Sequence, residues 1–511
     1  MSSITLCAIA RNEAELLPRM LASVQEFVDE MVVVDTGSTD ETVAIARSFG
    51  ARVIEHAFQD DFSDARNVAL NAAGSRWVLV LDADEYLAEG AGAVIRRAVK
   101  RRDRSGFYLH FINHLGRGRQ HVCAMARLFR SDPAIRFRYV IHEQIVDDLL
   151  IYSRRHRLPL EVLDDAIVHH DGYLKERSEA RGKDERNERL FRLQVERYPD
   201  HAYSWYKFGD FLRRFEGRSE ESLRALRRSA SLLRGMDRRT VLELSFPAEV
   251  FALLAVDTDK AGDPRTAYQI ASEGRERYGE TPNLLFVIGH LEAKFGRHRA
   301  AFLAYARLRT YDRRLLAVPP EPGVTGPIAM FGMGRALAAL GHPRAAHRCL
   351  QKSLQQNPEA TEPRLLLARL LLERGEVNEA ISNYRKILAA EPDRSSVRLR
   401  LGMLLLHAER PAEAVEELRR AADEGVQGSV VWPKLGQALM AAGELEEAYR
   451  VFSEAPEDPD SKTGILVLQL LAAGGDPSEI AELSTGAAAK WLRYLRMAGI
   501  PGATAGATSP A

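Results

Sequence analysis

The sequence predicts two folds in one chain: an α/β half with a Rossmann-like, mostly parallel sheet, then an all-α half built as a solenoid of helix pairs. Short apolar runs alternate with helical patterns from residue 4 to about 170, the strand–helix alternation of a parallel sheet. Past about residue 200 only helical patterns remain, and Ala346, Ala380, Ala414 and Ala448 recur 34 residues apart. A repeat of that period is one helix pair, which buries its apolar face by stacking on the next.

In the first half, Ile4–Ala10 reads as a buried strand, and Asn12–Phe27 as a helix with Leu16, Leu17, Met20, Leu21 and Val24 on one side. Met31–Asp35 is a second strand. The helix after it opens at Ser38-Thr39-Asp40-Glu41, hydroxyl caps followed by early acids. Arg52–Glu55 is a third strand, Phe62–Ala73 a helix, and Trp77–Leu81 a fourth strand. Shorter strands follow at Phe107–Ile112, Ala124–Phe129 and Ile167–His169. The segment Tyr173–Tyr198, rich in Arg and Glu, reads as a solvated helical connector. The expected organisation is therefore a catalytic-type domain over 1–175, a connector over 176–200, repeats over 201–490, and a helix end with a disordered tail over 491–511.

The repeat has internal punctuation. Gly341, Gly375 and Gly443 sit five before an anchor alanine, Gly334, Gly402 and Gly436 twelve before, and Pro358 and Pro392 twelve after. Small residues there let antiparallel helices approach closely, and proline closes the second helix. This is the tetratricopeptide pattern. Ala267 and Ala301 continue it, while the 45-residue steps from Ser222 to Ala267 and from Ala301 to Ala346 imply inserts, for about seven pairs. A concave helical surface suits a peptide or protein partner, or self-association as a homodimer. Tyr203, Trp205 and Tyr206 cluster in the first pair, as core packing or as peptide contacts.

Composition narrows the options. With 46% apolar and 28% charged residues the chain is an ordinary folded protein, and its 71 basic and 71 acidic residues cancel, so charge does not favour nucleic acid. Cys7, Cys123 and Cys349 are far apart and unpaired by any motif, which favours a reducing compartment over disulfides or zinc. No run reaches the roughly 18 apolar residues of a membrane span. A cytoplasmic protein is expected.

Chemistry is concentrated in Trp77-Val-Leu-Val-Leu-Asp82-Ala83-Asp84-Glu85. An apolar strand empties into two carboxylates spaced two apart, at the end of a strand where open α/β sheets bind ligands. In an extended strand the pair would share a face. Two hard oxygen ligands suit Mg²⁺ or Mn²⁺, which complete their shells with substrate phosphates and water.

Ala10-Arg11-Asn12-Glu13, Val34-Asp35-Thr36-Gly37-Ser38-Thr39-Asp40, Ala65-Arg66-Asn67 and Leu81-Asp82-Ala83-Asp84-Glu85 follow successive elements. Together they resemble family 2 glycosyltransferases of the GT-A fold. Arg127-Leu128-Phe129-Arg130, Ile141-His142-Glu143-Gln144 and His169-His170-Asp171-Gly172-Tyr173 look like a bacterial branch that often carries tetratricopeptide repeats and is similar to the peptide S-glycosyltransferases acting on bacteriocins. The resemblance covers about residues 1–200. It implies an inverting, metal-dependent transferase with a nucleotide-sugar donor, commonly UDP-linked, and a protein, peptide or glycan acceptor.

On that resemblance Asp84 coordinates the cation and Asp82 reaches ribose or metal-bound water. Asp35 takes the nucleobase imide N–H or caps the next helix, and Asn12 and Glu13 lie beside base and ribose or serve the turn. Arg66 grips the diphosphate or pairs with Asp60, Asp61 or Asp64. Glu85 starts or caps the next element. No acidic pair fills the usual base slot; Asp147-Asp148 reads as the opening of a helix. Glu143 is the expected general base, with a buried glutamate holding Arg136 or Arg138 as the alternative. One of His169 and His170 completes the metal shell or touches the pyrophosphate, with a core or hydrogen-bonded histidine as the alternative; only one can face inward, because neighbours on a strand face opposite ways, and His170 is preferred. Two other functions compete: a repeat adaptor whose first half binds nucleotide without chemistry, and a nucleotidyltransferase. The latter needs a glycine-rich basic loop after the first strand, and Ala10-Arg11-Asn12-Glu13 has no glycine.

Overall fold

The computed structural model of the chain describes residues 3–114, 120–170, 180–237, 241, 244, 246–311, 323–480 and 488–503. Two compact units form, one from Met1–Arg297 with Thr310–Thr325, the other from His298–Arg309 with Gly326–Ala511. No helix among the described residues is long and apolar enough to cross a membrane.

The first unit is organised by an eight-stranded sheet. Its strands are β1 (Ile4–Ala10), β2 (Glu30–Asp35), β3 (Arg52–Glu55), β4 (Trp77–Val80), β5 (Glu85–Leu87), β6 (Gly106–His114), β7 (Gln120–Arg130) and β8 (Leu160–His170), in the order β3-β2-β1-β4-β7-β6-β8-β5. The first four run parallel, and β7 joins β4 antiparallel. The predicted α/β class is therefore correct, with an antiparallel extension. β1 is flanked by β2 on one side and β4 on the other. The chain builds outward through β3, then restarts next to β1, and this reversal opens a crevice at the carboxyl ends of β1 and β4.

Alternation along the strands divides the core. Ile4, Leu6, Ala8 and Leu79 face helices α1 (Leu17–Val24) and α4 (Ala91–Ala98). Cys7, Val32, Val34, Val78 and Val80 face α3 (Phe62–Ala72) and α5 (Val146–His156). Strands covered on both faces read as continuous apolar runs.

Several expected boundaries move. The first helix starts at Leu17 rather than Asn12, because Asn12 takes a left-handed φ of 56° and Pro18, lacking an N–H, occupies the first turn. Helix α2 (Thr42–Ser48) starts four residues later than Ser38, since Ser38 and Thr39 bond Asn12 instead. Residues 82–84 leave the strand in a turn, closed by Glu85 N–H to the Asp82 carbonyl at 3.0 Å, and strand resumes at Glu85. The following β5 pairs antiparallel with β8.

Beyond the sheet, the first unit adds α6 (Ala180–Arg197), α7 (Ala202–Leu212), α8 (Ser219–Gly235) and the helices Pro247–Lys260, Pro264–Tyr278 and Pro282–Lys294. Tyr203 and Tyr206 pack on Phe246, and the Trp205 indole N–H bonds the Pro199 carbonyl; these aromatics are part of the helical core. Among its described residues the second unit is built of helices and their connections, with pairs such as Thr361–Glu373 with Val377–Ala390 and Ser395–His407 with Pro411–Asp423. The anchors Ala346, Ala380, Ala414 and Ala448 are fully buried, and Gly375 turns between helices at φ 77°. Residues 499–503 follow the last helix, with Ile500 N–H on the Leu495 carbonyl and Ala503 buried. The rest of the expected tail, 504–511, lies outside the described residues, as do residues 171–179, which include the start of the expected connector.

Close approach within a pair has a direct test. A Cβ on Gly402 would meet Leu418 Cγ at 2.6 Å. Gly402→Ala is therefore expected to destabilise the second unit by about 1–3 kcal/mol through overpacking. Calorimetry reads this as a lower midpoint, and an unchanged midpoint would refute the packing account.

Candidate active site

Two loops meet at the carboxyl ends of β1 and β2. Asn12 Oδ1 accepts the Thr39 N–H at 2.7 Å, its own N–H reaches Ser38 Oγ at 2.9 Å, and Glu13 N–H reaches Thr42 Oγ1 at 2.8 Å. Asp35 is buried, and its carboxylate accepts the N–H groups of Gly37 at 3.1 Å and Ser38 at 3.1 and 3.3 Å. Asn12, Glu13 and Asp35 thus belong to one hydrogen-bonded floor that fixes both loops.

At the tip of β4 the charged groups form an alternating ladder. Glu143 Oε1 accepts from Arg66 Nε at 2.5 Å, and Arg66 Nη2 donates to Asp82 Oδ1 at 2.7 Å. Arg127 Nη2 bridges Asp82 Oδ2 at 3.3 Å and Glu85 Oε1 at 2.6 Å, while Asp82 N–H closes on Glu85 Oε2 at 2.9 Å. Burial works against the Asp82 carboxylate, but the two guanidiniums outweigh it and hold its pKa far below the usual range. Burial raises Glu85; Arg127 pulls the other way, and Asp82 and Asp84 add to the rise. Arg66 is buried, and its Nη1 has no hydrogen-bond partner among the described residues.

Asp84 faces elsewhere. Its Oδ2 lies 3.3 Å from His170 Nε2, and His170 Nδ1 lies 2.7 Å from Asn113 Oδ1. An acceptor on Nδ1 orients the ring so that Nε2 points at the carboxylate, an arrangement common behind metal-binding histidines. Burial lowers the His170 pKa, but the hydrogen bond and charge of Asp84 prevail and raise it overall. His169 turns the other way, stacking on Tyr86 and His114. The Asp84 and His170 side chains are 29% and 22% exposed, so water and ligands reach them. Because 82–84 is a turn, Asp82 and Asp84 do not share a face as strand neighbours would: one meets arginines, the other histidine. Among the described residues no three His, Cys, Asp or Glu side chains converge as a metal cluster. The donor set of Asp84 and His170 fits a hard divalent cation that takes few protein ligands and fills its shell with water and phosphate oxygens.

Helix α3 builds the other wall. Arg66 enters the ladder, and Asn67 bonds the Phe137 backbone in both directions at 2.9 Å. A seven-residue loop then runs from Arg138 to Gln144, closed by reciprocal backbone bonds of 2.9 and 3.0 Å. Tyr139 and His142 have φ of 79° and 52°, a left-handed state costing about 1–2 kcal/mol per residue. Glu143 projects from this loop to Arg66. The alternative pairings fail: Arg136 N–H and Arg138 bond Asp148, while Asp60, Asp61 and Asp64 pair with Arg189, Arg197 and His56. Asp147 and Asp148 do open a helix. Glu85 does start the next element, β5, while sequence reasoning missed its ladder contact with Arg127 and the backbone bonds of Asn67. An arginine inside the apolar run of β7 was the available signal, since a charge there needs a buried acid.

The Glycosyl transferase family 2 profile matches residues 5–127, and Tetratricopeptide repeat profiles match 337–382 and 365–428. The chain carries a family 2 glycosyltransferase domain followed by tetratricopeptide repeats. A TPR repeat-containing protein of Synechococcus elongatus is 38% identical over 213 residues, covering 42% of this chain and 53% of the relative. The prophage-derived glycosyltransferase SunS of Bacillus subtilis is 27% identical over 233 residues, covering 44% of this chain and 53% of the relative. An uncharacterized glycosyltransferase of Rickettsia felis is 39% identical over 89 residues, 17% of this chain and 31% of that one. The chain spans about half the length of the first two of these curated relatives. The whole ladder, apart from Glu143, falls inside the matched glycosyltransferase domain.

Proposed function

We propose that the protein transfers a sugar, with inversion, from a UDP-linked donor to a protein, peptide or glycan acceptor, in the cytoplasm and with Mn²⁺ or Mg²⁺. The observation that carries this reading is Asp84 facing His170 beside a buried arginine–carboxylate ladder, at the switch point of a family 2 glycosyltransferase domain. Asp84 and His170 would hold the cation. Once bound, it would neutralise charge on the departing nucleoside diphosphate.

The chain's own residues supply the rest. Asp35, fixed by the Gly37 and Ser38 N–H groups, keeps lone pairs for the nucleobase imide, with Asn12 and Glu13 beside base and ribose. Arg66 would set its charge beside the diphosphate; its Nη1 is buried and unpartnered among the described residues. Asp82, gripped by Arg66 and Arg127, is suited to ribose or metal-bound water. Glu143 is the base that takes the acceptor proton, a contribution of roughly 10²–10⁴-fold. The repeats would hold the acceptor or a partner protein. Free cysteines at 7, 123 and 349 accord with a reducing compartment.

The test is a thermal-shift screen of UDP-, GDP- and dTDP-sugars, each with Mn²⁺ and with EDTA. Mass action adds about 2.7 kcal/mol of stability at a hundredfold excess over Kd. UDP-sugars with Mn²⁺ are expected to raise the midpoint, and EDTA to remove the shift. A screen in which no nucleotide-sugar moves the midpoint would sink the proposal.

A further inference from the structure

We propose that the helices α6 and α7, outside the residues matched by the glycosyltransferase profile, are part of the active site, with Gln194 the positioning residue for Glu143. This rests on the reading of Glu143 as the base. The loop that carries Glu143 does not hold its own shape, because two of its non-glycine residues, Tyr139 and His142, sit in the left-handed region. Such a conformation persists only where the surroundings over-determine it.

The helical layer does so at several points. Ile141 N–H donates to Gln194 Oε1 at 2.9 Å in a buried contact. Val140 and Ile141 are buried in one cluster with Leu190, Phe191, Val195 and Phe208. Tyr139 stacks on His201 at 4.0 Å between ring centres and 15° between planes. From the sheet side, Phe62 N–H reaches the Val140 carbonyl at 2.9 Å, and Arg66 takes Glu143. Glu143 is thus pinned at its carboxylate by Arg66 of α3 and at its backbone by α6 and α7.

Gln194 is the informative member. It is fully buried, and its amide Nε2 has no partner among the described residues. Half of a buried polar group left unused is costly, so what keeps an amide here is the oxygen it offers to Ile141. Removing that oxygen leaves a buried N–H unmet in the loop next to the base, two residues from Glu143. The active site is therefore completed by helices that belong to the layer leading into the repeats, which gives that layer a direct hold on the chemistry.

The experiment uses full-length Gln194→Met and His201→Leu. The readouts are hydrogen exchange of peptides spanning 138–145, and UDP release from UDP-glucose and UDP-N-acetylglucosamine with Mn²⁺. Gln194→Met should speed exchange in the loop at least tenfold and cut kcat about tenfold, with donor KM within twofold. His201→Leu should give the same split at about threefold. A merely structural role would lower the amount of folded enzyme without separating kcat from KM. Unchanged loop exchange and kcat in Gln194→Met, beside an inactive Glu143→Gln, would overturn the inference. A fully active Glu143→Gln instead removes the base reading, and faster loop exchange in Gln194→Met then still establishes the clamp. If the wild type releases no UDP from either sugar, exchange alone decides it.

Discussion

Asp84→Ala is expected to abolish sugar transfer and donor hydrolysis together while leaving the fold intact. Loss of a cation worth several kcal/mol of charge stabilisation corresponds to a rate drop of about a thousandfold or more. The fold should survive because the Asp84 side chain is 29% exposed and its described partner is His170. The measurement is UDP release and product formation with Mn²⁺, alongside the thermal midpoint. His170→Ala, which keeps the carboxylate, should weaken Mn²⁺ binding without reaching the same loss. Full turnover by Asp84→Ala would remove the metal assignment.

The second large effect is on stability. Arg127→Met takes from Glu85 the guanidinium at 2.6 Å, and Glu85 is only 3% exposed. Stranding one member of a buried ion pair costs about 3–5 kcal/mol. The penalty has a sign in pH. Burial already raises the folded Glu85 pKa above its ordinary 4.5, against the pull of Arg127, and removing Arg127 raises it further. A raised carboxyl is stabilising below its unfolded pKa, and that contribution is lost as pH climbs through the folded value. Urea denaturation should therefore show the variant closer to wild type at pH 5 than at pH 8. A deficit that is absent, or independent of pH, would show that Glu85 does not depend on Arg127.

Periodicity proved a reliable guide to the strands and repeats for a local reason. Continuous burial on both faces writes Ile4–Ala10 and Trp77–Val80 as apolar runs, and helix-pair packing writes small residues at 34-residue intervals. Turns were less legible. The two acids after β4 were expected on an extended strand; the chain turns there because Glu85 must enter β5 and pair with β8, a demand set by residues some 80 positions later. Ser38 and Thr39 looked like helix caps, yet bond Asn12 across the crevice.

The positions of the proposed donor-binding carboxylates were readable in the linear chain, because short motifs follow strand ends: Asp35 closes β2, and Asp82 and Asp84 follow β4, where a parallel sheet delivers its ligands. How their charges are shared was not. Arg66 and Arg127 reach Asp82 from helix α3 and strand β7, and Glu143 is aimed by a strained loop held between α3 and a glutamine on α6. Partners of a buried charge are selected by distance in the folded state, where low dielectric makes a few ångströms decisive, and sequence separation carries no trace of that distance.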